Sequence, residues 1–154
     1  MSDARLDQET IDYIAIRRLQ SAYADIVTRR AWPELARVFR PEAEVVIDRG
    51  DGKPLVLHGP GEVGQFISGA IAHYDLFEFI VLNTVIEIAG DRATTRLWMS
   101  EVRHDPVAGR SDAFGLYRDE HCRIDGRWWF AGRRYQTLAR TLPADLAIFP
   151  MPAL

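Results

Sequence analysis

The second half of the chain most constrains the fold, because from residue 77 its hydrophobic pattern has the period of strands. The segments "FEFIVLNTVIEI" and "RATTRLWMSEVRH" are separated by "AGD", a typical hairpin turn. Further on, "SDAFGLYRDEHCRI" and "RWWFAGRRYQTL" flank Asp125 and Gly126. Asp-Gly between two such segments is the strongest short hairpin signal in the chain. The pattern predicts an antiparallel meander of three long strands that follow one another in sequence.

The first half of the chain has helical spacing instead. A long helix is predicted over residues 10–28, with Thr10 as its N-cap. Its apolar residues recur with the helical period: Ile16, Leu19, Tyr23 and Ile26. Pro33 suits the first turn of a second, short helix. "AEVVID" and "LVLHG" predict a strand hairpin, and "GPGEVGQFISGAIAHY" predicts a third helix. The expected fold class is α+β, with helices packed on one face of a curved sheet.

Composition places the chain among ordinary globular proteins. It has 154 residues, of which 47% are hydrophobic and 27% are charged. No repeat or linker divides it, so residues 1–154 are predicted to form a single domain. The formal net charge of -3 argues against a surface for nucleic acid.

Cysteine and histidine usage argues against a bound metal. Cys122 is the only cysteine, so neither an intrachain disulfide nor a multi-cysteine site can form. The four histidines show no ligand spacing near an acid, and we expect no metal and no cofactor. The start "MSDARLDQET" lacks the apolar core of a signal peptide, and no apolar run reaches the ~18 to 20 residues of a membrane span. A cytoplasmic protein without membrane contact is expected.

The C-terminal segment "PADLAIFPMPAL" is rich in proline and in apolar residues. Proline disfavours a long helix there, and the apolar side chains disfavour exposure to water. We expect this tail to pack either against the mouth of a pocket or against a neighbouring subunit.

The order of these elements resembles the nuclear transport factor two-like (cystatin-like) fold. More closely, the chain is similar to the SnoaL-like branch, which includes polyketide cyclases, scytalone and bile-acid dehydratases, and a dehydrochlorinase. The resemblance rests on "IAIRRLQSAYADIVTRRAWPELARVF", "LHGPGEVGQFI", "LNTVIEIAGDRATTRLWM" and "YRDEHCRIDGRWWFAGRR". It implies a cone-shaped, curved antiparallel or mixed sheet wrapped on N-terminal helices, with an apolar pocket for a small hydrophobic molecule. Because this fold carries many functions, the resemblance predicts the fold better than the reaction.

The resemblance also implies that a catalytic pair is missing. In dehydratase-like members an aspartate near the end of the first helix orients a histidine on the first long strand, which removes a proton from the substrate. In this chain the aspartate position falls on Thr28. The histidine position falls on Phe79, since Asn83 matches the family's asparagine. Neither threonine nor phenylalanine can replace these groups, and the acid Asp25 is predicted to face water.

Three residues remain as catalytic candidates. Tyr23 lies on the apolar side of the first helix, where its hydroxyl would donate a hydrogen bond to a substrate carbonyl; the alternative is a tyrosine that only fills the core. Arg133 matches a basic pocket residue of the dehydrochlorinase branch. Either Arg133 or Arg134 must point inward, and Gly132 would allow a bulge that exchanges them. His73, before the first long strand, is the candidate proton carrier.

Substrate binding is expected to involve the two altered positions and their neighbours. Nine aromatic residues fit the wall of a core and a pocket: Trp32, Phe39, Phe77, Phe79, Trp98, Phe114, Trp128, Trp129 and Phe130. From this group and from the resemblance, the predicted substrate-binding residues are Thr28, Phe79, Asn83 and Trp98.

Three functions are compatible with this sequence. The first is a lyase, isomerase or cyclase that acts on a hydrophobic, carbonyl-bearing small molecule without the family's Asp–His pair. The second is a non-catalytic ligand-binding or accessory subunit, similar to the beta subunits of ring-hydroxylating dioxygenases. The third is an assembly module. Relatives pack the outer face of the sheet against other copies, so the resemblance implies a homo-oligomer, either a dimer or a trimer.

Overall fold

The computed structural model describes residues 2–141 and 145–154, with side chains from residue 7 onward. The helices are α1 (Ser2–Arg29), a 3-10 helix (Trp32–Arg37) and α2 (Gly59–Ile71). The strands are β1 (Phe39–Asp48), β2 (Leu55–His58), β3 (Leu76–Ala89), β4 (Arg92–Asp105), β5 (Gly109–Ile124), β6 (Arg127–Thr141) and β7 (Leu146–Ile148). Within the described residues no helix combines the length and apolar character of a membrane span.

The seven strands form one curved, open mixed sheet. Its order is β2-β1-β6-β5-β4-β3, and β7 pairs with β6 beside the end of β1. Only the β1–β6 pair is parallel among the described strands. The α+β class and the β1–β2 hairpin are confirmed. The predicted meander of three long strands is wrong in number: each of the four quoted segments forms its own strand, so the meander has four, β3 to β6.

Helix α1 begins earlier than predicted. It starts at Ser2, so Thr10 lies inside the helix and is not its N-cap. The predicted start is wrong because the sequence before Thr10 is mostly polar, and apolar periodicity cannot detect helical turns that carry few apolar residues. The predicted apolar residues Ile16, Leu19, Tyr23 and Ile26 are all buried, and α1 packs mainly against β3.

The carboxylate of Asp12 joins α1 to β5 and β6, near the turn between these two strands. Its carboxylate accepts a 3.0 Å hydrogen bond from Trp128 Nε1 and bonds of 2.6 and 2.8 Å from Arg123 Nη1. Burial acts to raise the pKa of Asp12, but the bonds from Trp128, Gln8 and Arg123 outweigh it, so the pKa lies below its usual value. The charged carboxylate therefore holds the helix in a fixed position on the sheet.

The other end of α1 is closed by a Schellman motif. Arg30 has a φ of 58°. Its N–H donates to Val27 O at 3.1 Å, and the N–H of Ala31 donates to Ile26 O at 2.9 Å. The left-handed conformation, unusual for arginine, directs the Arg30 guanidinium to the carbonyl oxygen of Tyr74 at 2.6 Å. The helix end is thereby joined to the segment that follows α2.

Part of the C-terminal tail pairs with β6. Residues 143–144 of the predicted tail are outside the described residues, and after residue 145 the chain forms β7. The N–H of Phe149 donates to Leu138 O at 2.8 Å, and the Phe149 ring lies 5.3 Å from the guanidinium of Arg140. Arg140 also lines the internal cavity described below, but no described tail residue does. Leu146, Ile148, Met151 and Leu154 are exposed, so the expected packing of the tail on a pocket mouth is limited to the contact of Phe149 with Arg140.

Candidate functional site

A cavity of about 180 Å³ lies between the inner face of the sheet and the helices α1 and α2. An engineered cavity of roughly 150 Å³ is large enough to bind benzene, so this volume accommodates an aromatic ring. Its apolar wall comes from both helices and from the sheet, and includes Val27, Val63, Phe66, Ile71, Phe77 and Phe79. The polar and charged lining residues come mostly from the sheet.

The face of the sheet that bounds the cavity consists of rows of directly paired residues on neighbouring strands. Such partners point to the same face of a sheet, so each row presents its side chains together. From the deep end towards the rim, three of these rows are Thr95–Asp119–Arg133, Leu97–Tyr117–Tyr135 and Glu101–Ala113–Arg140. Charged groups therefore occupy both ends of a mainly aromatic interior.

A β-bulge turns Arg133 into the protein. Glu120 pairs with Gly132, but the next residue, His121, pairs with Phe130, so Ala131 is an extra residue on β6. The bulge places Phe130 and Arg133 on the same face, although they are three residues apart. Arg133 is 4% exposed, whereas Arg134 is exposed. Of the two orientations that the sequence left open, the structure has the one with Arg133 inside.

Arg133 is held by one carboxylate and several rings. Its Nε donates to Asp119 Oδ1 at 2.7 Å and its Nη2 to Asp119 Oδ2 at 2.8 Å. The guanidinium carbon lies 4.1 Å from the ring centroids of Tyr23 and Tyr117 and 4.3 Å from that of Phe130. Burial acts to lower the pKa of Arg133, but Asp119 more than offsets it and the pKa is raised. Arg133 therefore stays charged beneath the two tyrosines.

The rings of Tyr23 and Tyr117 pack against the guanidinium group of Arg133, and both phenols are neutral. Tyr23 is 3% exposed, and its ring meets Phe79 edge-on with centroids 5.4 Å apart. Burial raises the pKa of Tyr23, and it raises the pKa of Tyr117 well above the usual value. Neither hydroxyl loses its proton near neutral pH, so both are suited to donate hydrogen bonds rather than to act as bases.

Glu101 is the titratable acid of the cavity, and sequence reasoning missed it. Burial raises the pKa of its carboxyl to about 7, although Arg103 acts to lower it. The Arg103 Nη1 atom lies 3.7 Å from Glu101 Oε2, and 18% of the Glu101 side chain remains accessible. A carboxyl with a pKa near neutrality can take up and release protons under ordinary conditions.

Glu101 lies next to Phe79, the position to which the resemblance assigned the family's histidine. Glu101 on β4 is the direct cross-strand partner of Phe79 on β3. A signal for Glu101 was present in the sequence: the buried alternation of Leu97 and Met99 continues to Glu101 and Arg103. If this alternation is continued beyond Met99, it predicts that the side chains of Glu101 and Arg103 also point into the protein.

The remaining predicted site residues do not line the cavity. His73 is 55% exposed in its side chain, lies 3.9 Å from Asp105 and stacks on Tyr74. Asn83 is exposed, next to an irregularity in the pairing of β3 with β4. Trp98 has the opposite phase to Leu97 and Met99 and therefore belongs to the outer face of the sheet. The predicted contact of these three residues with a ligand in this cavity is not supported by their placement.

Thr28 has a structural contact instead of a place in the lining. Its Oγ1 accepts a 3.0 Å hydrogen bond from the backbone N–H of Phe79, which joins α1 to β3. Asp25 is exposed and pairs with Arg29 at 2.8 Å, as the helical angle predicted. Of the seven predicted site residues, the structure thus brings Tyr23, Phe79 and Arg133 together around the cavity.

Stability should depend on pH through Glu101. Between the ordinary value of 4.5 and about 7, the unfolded chain loses this proton while the folded chain keeps it, so stability falls as pH rises through that window and then levels off. The gap corresponds to at most about 3 kcal/mol. Glu101→Gln should therefore be more stable than the unchanged protein at pH 8 but not at pH 4.5, as measured by urea unfolding. Glu78→Gln, on an exposed position of β3, is the control; an equal effect of both variants at pH 8 would contradict the assignment.

Helices packed on the inner face of a curved mixed sheet, with an aromatic pocket between them, define the cystatin-like, nuclear transport factor two-like class. Within this class the chain belongs to the SnoaL-like domain family, whose family model matches residues 8–134. No curated protein matches the chain at a significant level.

Solved structures of similar fold cover most of the chain. A protein from Novosphingobium aromaticivorans, provisionally described as a scytalone dehydratase, is 20% identical with a TM-score of 0.77, over 88% of this chain and 90% of that one. Hexachlorocyclohexane dehydrochlorinase LinA-type3 from Novosphingobium barchaimii is 19% identical with a TM-score of 0.76, over 94% and 97%. An NTF2-like protein with a cystatin-like fold, also from Novosphingobium aromaticivorans, is 18% identical with a TM-score of 0.74, over 88% and 86%. At these identities the likeness shows the fold alone.

Proposed function

We propose that the protein is a lyase- or isomerase-type enzyme that removes a proton next to the carbonyl group of a hydrophobic small molecule. The observation that carries this proposal is that Glu101 and Tyr23 line one cavity, the first as a carboxyl with a pKa of about 7 and the second as a neutral hydrogen-bond donor. Two structural relatives, one provisionally described as a dehydratase and one a dehydrochlorinase, are named for eliminations and support the same class of reaction.

Each residue has a distinct part in this proposal. Glu101, in its ionised form, takes the proton from the carbon next to the carbonyl. Tyr23 donates a hydrogen bond to the carbonyl oxygen, on which negative charge develops. Arg133, charged and 4.1 Å from the Tyr23 ring, stabilises that negative charge from below. The enolate then either expels a leaving group with its electron pair from the next carbon, which gives a lyase, or, in a substrate whose double bond extends it to a dienolate, takes the proton back from Glu101 at the far carbon, which gives an isomerase.

The test uses 2-indanone, a ring ketone whose acidic C–H groups lie next to its carbonyl. The protein is expected to accelerate exchange of these hydrogens in D₂O, followed by proton NMR. Tyr23→Phe should slow the catalysed exchange by on the order of a hundredfold, as for loss of one donor to a developing oxyanion. Tyr13→Phe is the matched control, because Tyr13 is on the same helix and 43% exposed. Exchange no faster than in buffer, or equal rates for the two variants, would contradict the proposal.

A second candidate is a non-catalytic ligand-binding or accessory subunit. It is favoured by the placement of Thr28, whose hydroxyl is engaged with the backbone of Phe79, and by the exposure of His73. Stabilisation by 2-indanone in thermal unfolding without any catalysed exchange would favour this candidate.

A homo-oligomer of two or three copies belongs to the same proposal. Large apolar side chains exposed on β3 and β5 include Leu82, Val85 and Phe114. A small-molecule ligand, rather than nucleic acid, accords with the net charge of -3.

A further inference from the structure

The lining of the cavity contains more arginine side chains than carboxylates. Its charged lining residues are Arg49, Glu101, Arg103, Arg133 and Arg140. Two of these arginines have a carboxylate of their own: Arg133 bonds Asp119, and Arg49 lies 3.4 Å from Asp51. For the other two, Arg103 and Arg140, Glu101 is the one acid among the described lining residues. The rim therefore carries an excess of positive charge.

Arg103 and Arg140 also have buried donors without acceptors. Neither Nε atom has a hydrogen-bond partner among the described residues, and both are buried. Arg103 approaches Glu101 only to 3.7 Å, beyond a hydrogen bond, while Arg140 has no ion pair within the described part of the chain. A buried N–H without an acceptor costs free energy, and few remain so in folded proteins. These two guanidinium groups are suited to an acceptor that the protein itself does not provide.

The spacing of the rim residues leaves room for such an acceptor. Glu101, Ala113 and Arg140 are consecutive partners on β4, β5 and β6. Neighbouring strands lie about 4.8 Å apart, so roughly 10 Å separates the outer two backbones, with only a methyl group between them. Arg103 is two residues beyond Glu101 on the same face of β4. Glu101 and Arg103 on β4 and Arg140 on β6 thus line the same cavity, and only the small side chain of Ala113 lies between Glu101 and Arg140.

Arg133 lies deeper in the cavity, and Asp119 binds only two of its guanidinium nitrogens. Arg133 is 4% exposed and lines the cavity, yet its Nη1 has no hydrogen-bond partner among the described residues. The aromatic rings around it would hold the apolar part of a ligand, while the rim would hold a charged part.

We propose that the ligand of this cavity is a hydrophobic carboxylate, with its ring among the aromatic side chains and its carboxylate on Arg103 and Arg140. The inference rests on the proposed function and narrows its substrate to a carbonyl compound that carries a carboxylate. A carboxylate matches the planar guanidinium group and accepts two hydrogen bonds, which a neutral amide of the same shape cannot do with equal strength. Bound in this way, the carboxylate fixes the substrate so that the carbon to be deprotonated faces Glu101.

Calorimetric titration with trans-cinnamate and with cinnamamide, its neutral analogue of similar shape, tests the inference. The unchanged protein should bind cinnamate at least about tenfold more tightly than cinnamamide, as expected for charge-assisted bonds. Arg140→Gln should remove most of this preference and leave cinnamamide binding unaltered. Arg134→Gln, an exposed arginine on the same strand, is the control and should preserve the preference.

Equal affinity of the unchanged protein for the two compounds would overturn the inference without any variant. So would no binding of cinnamate at millimolar concentration, or a loss in Arg140→Gln that affects both compounds alike. These outcomes are separate from those for the proposed function. Preferred binding of cinnamate without exchange of 2-indanone would support the carboxylate site and contradict the catalytic proposal. Exchange of 2-indanone without preferred binding of cinnamate would support the catalytic proposal and contradict the carboxylate site.

Discussion

Glu101→Gln is expected to slow the protein-catalysed exchange of 2-indanone by about 10²- to 10⁴-fold, the usual contribution of a general base. Glutamine has nearly the same shape as glutamate but cannot accept a proton at neutral pH. The cavity, the Tyr23 donor and the Arg133 charge are all retained in this variant. The loss would therefore report on proton transfer and not on the architecture of the pocket.

The pH profile supplies an independent readout for the same residue. The rate catalysed by the unchanged protein should rise with pH and level off above about 7, because only the ionised form of Glu101 is a base. Glu78→Gln, an exposed glutamate on β3, should keep both the rate and the profile. If Glu101→Gln retained the full rate, or if the rate of the unchanged protein did not change with pH on either side of that value, Glu101 would not be the base.

Asp119→Asn is expected to lower the free energy of unfolding by about 3–5 kcal/mol, the range for removing one member of a buried ion pair. Asp119 is 2% exposed and accepts two bonds from Arg133, which is 4% exposed. Asparagine keeps the shape but leaves the arginine charge buried without a counter-ion. Urea unfolding at neutral pH measures the difference.

The double variant Asp119→Asn, Arg133→Met separates charge from packing. Because it removes both charges, it should recover a substantial part of the stability that Asp119→Asn loses. Asp25→Asn is the control for an exposed pair, and it should change stability little, since Asp25 and Arg29 are both open to water. If the double variant were less stable than Asp119→Asn, the packing of the introduced methionine rather than the unpaired charge would dominate.

Local periodicity accounts for the part of this protein that was predictable. The 3.6-residue spacing of Ile16, Leu19, Tyr23 and Ile26 predicted the buried face of α1, which the structure confirms. The segments of β3 to β6 and the turn at Asp125 and Gly126 were likewise visible, although their number was counted wrongly. The same helical spacing placed Asp25 in water. Each of these predictions concerns residues that are close together along the chain.

The orientation of Arg133 could not be predicted from local periodicity. Strict alternation along β6 from Phe130 would place Arg134 inside, and the extra residue at Ala131 reverses this. Gly132 made a bulge conceivable, but its position depends on the pairing of β6 with β5. Cross-strand register is decided by the partner strand, so the sequence of one strand leaves both orientations open.

Short-range patterns of apolar residues were sufficient to predict the three helices, the segments that form β1 to β6 and the buried side of α1. The folded chain was needed to show that Glu101 stands beside Phe79, that its pKa is raised to about 7, and that Arg103 and Arg140 flank it. These features could not be read from the sequence because a pKa and the pairing of charges depend on burial and on neighbours from other strands. A carboxyl on β4 thus lies next to the position on β3 where the resemblance expected a histidine.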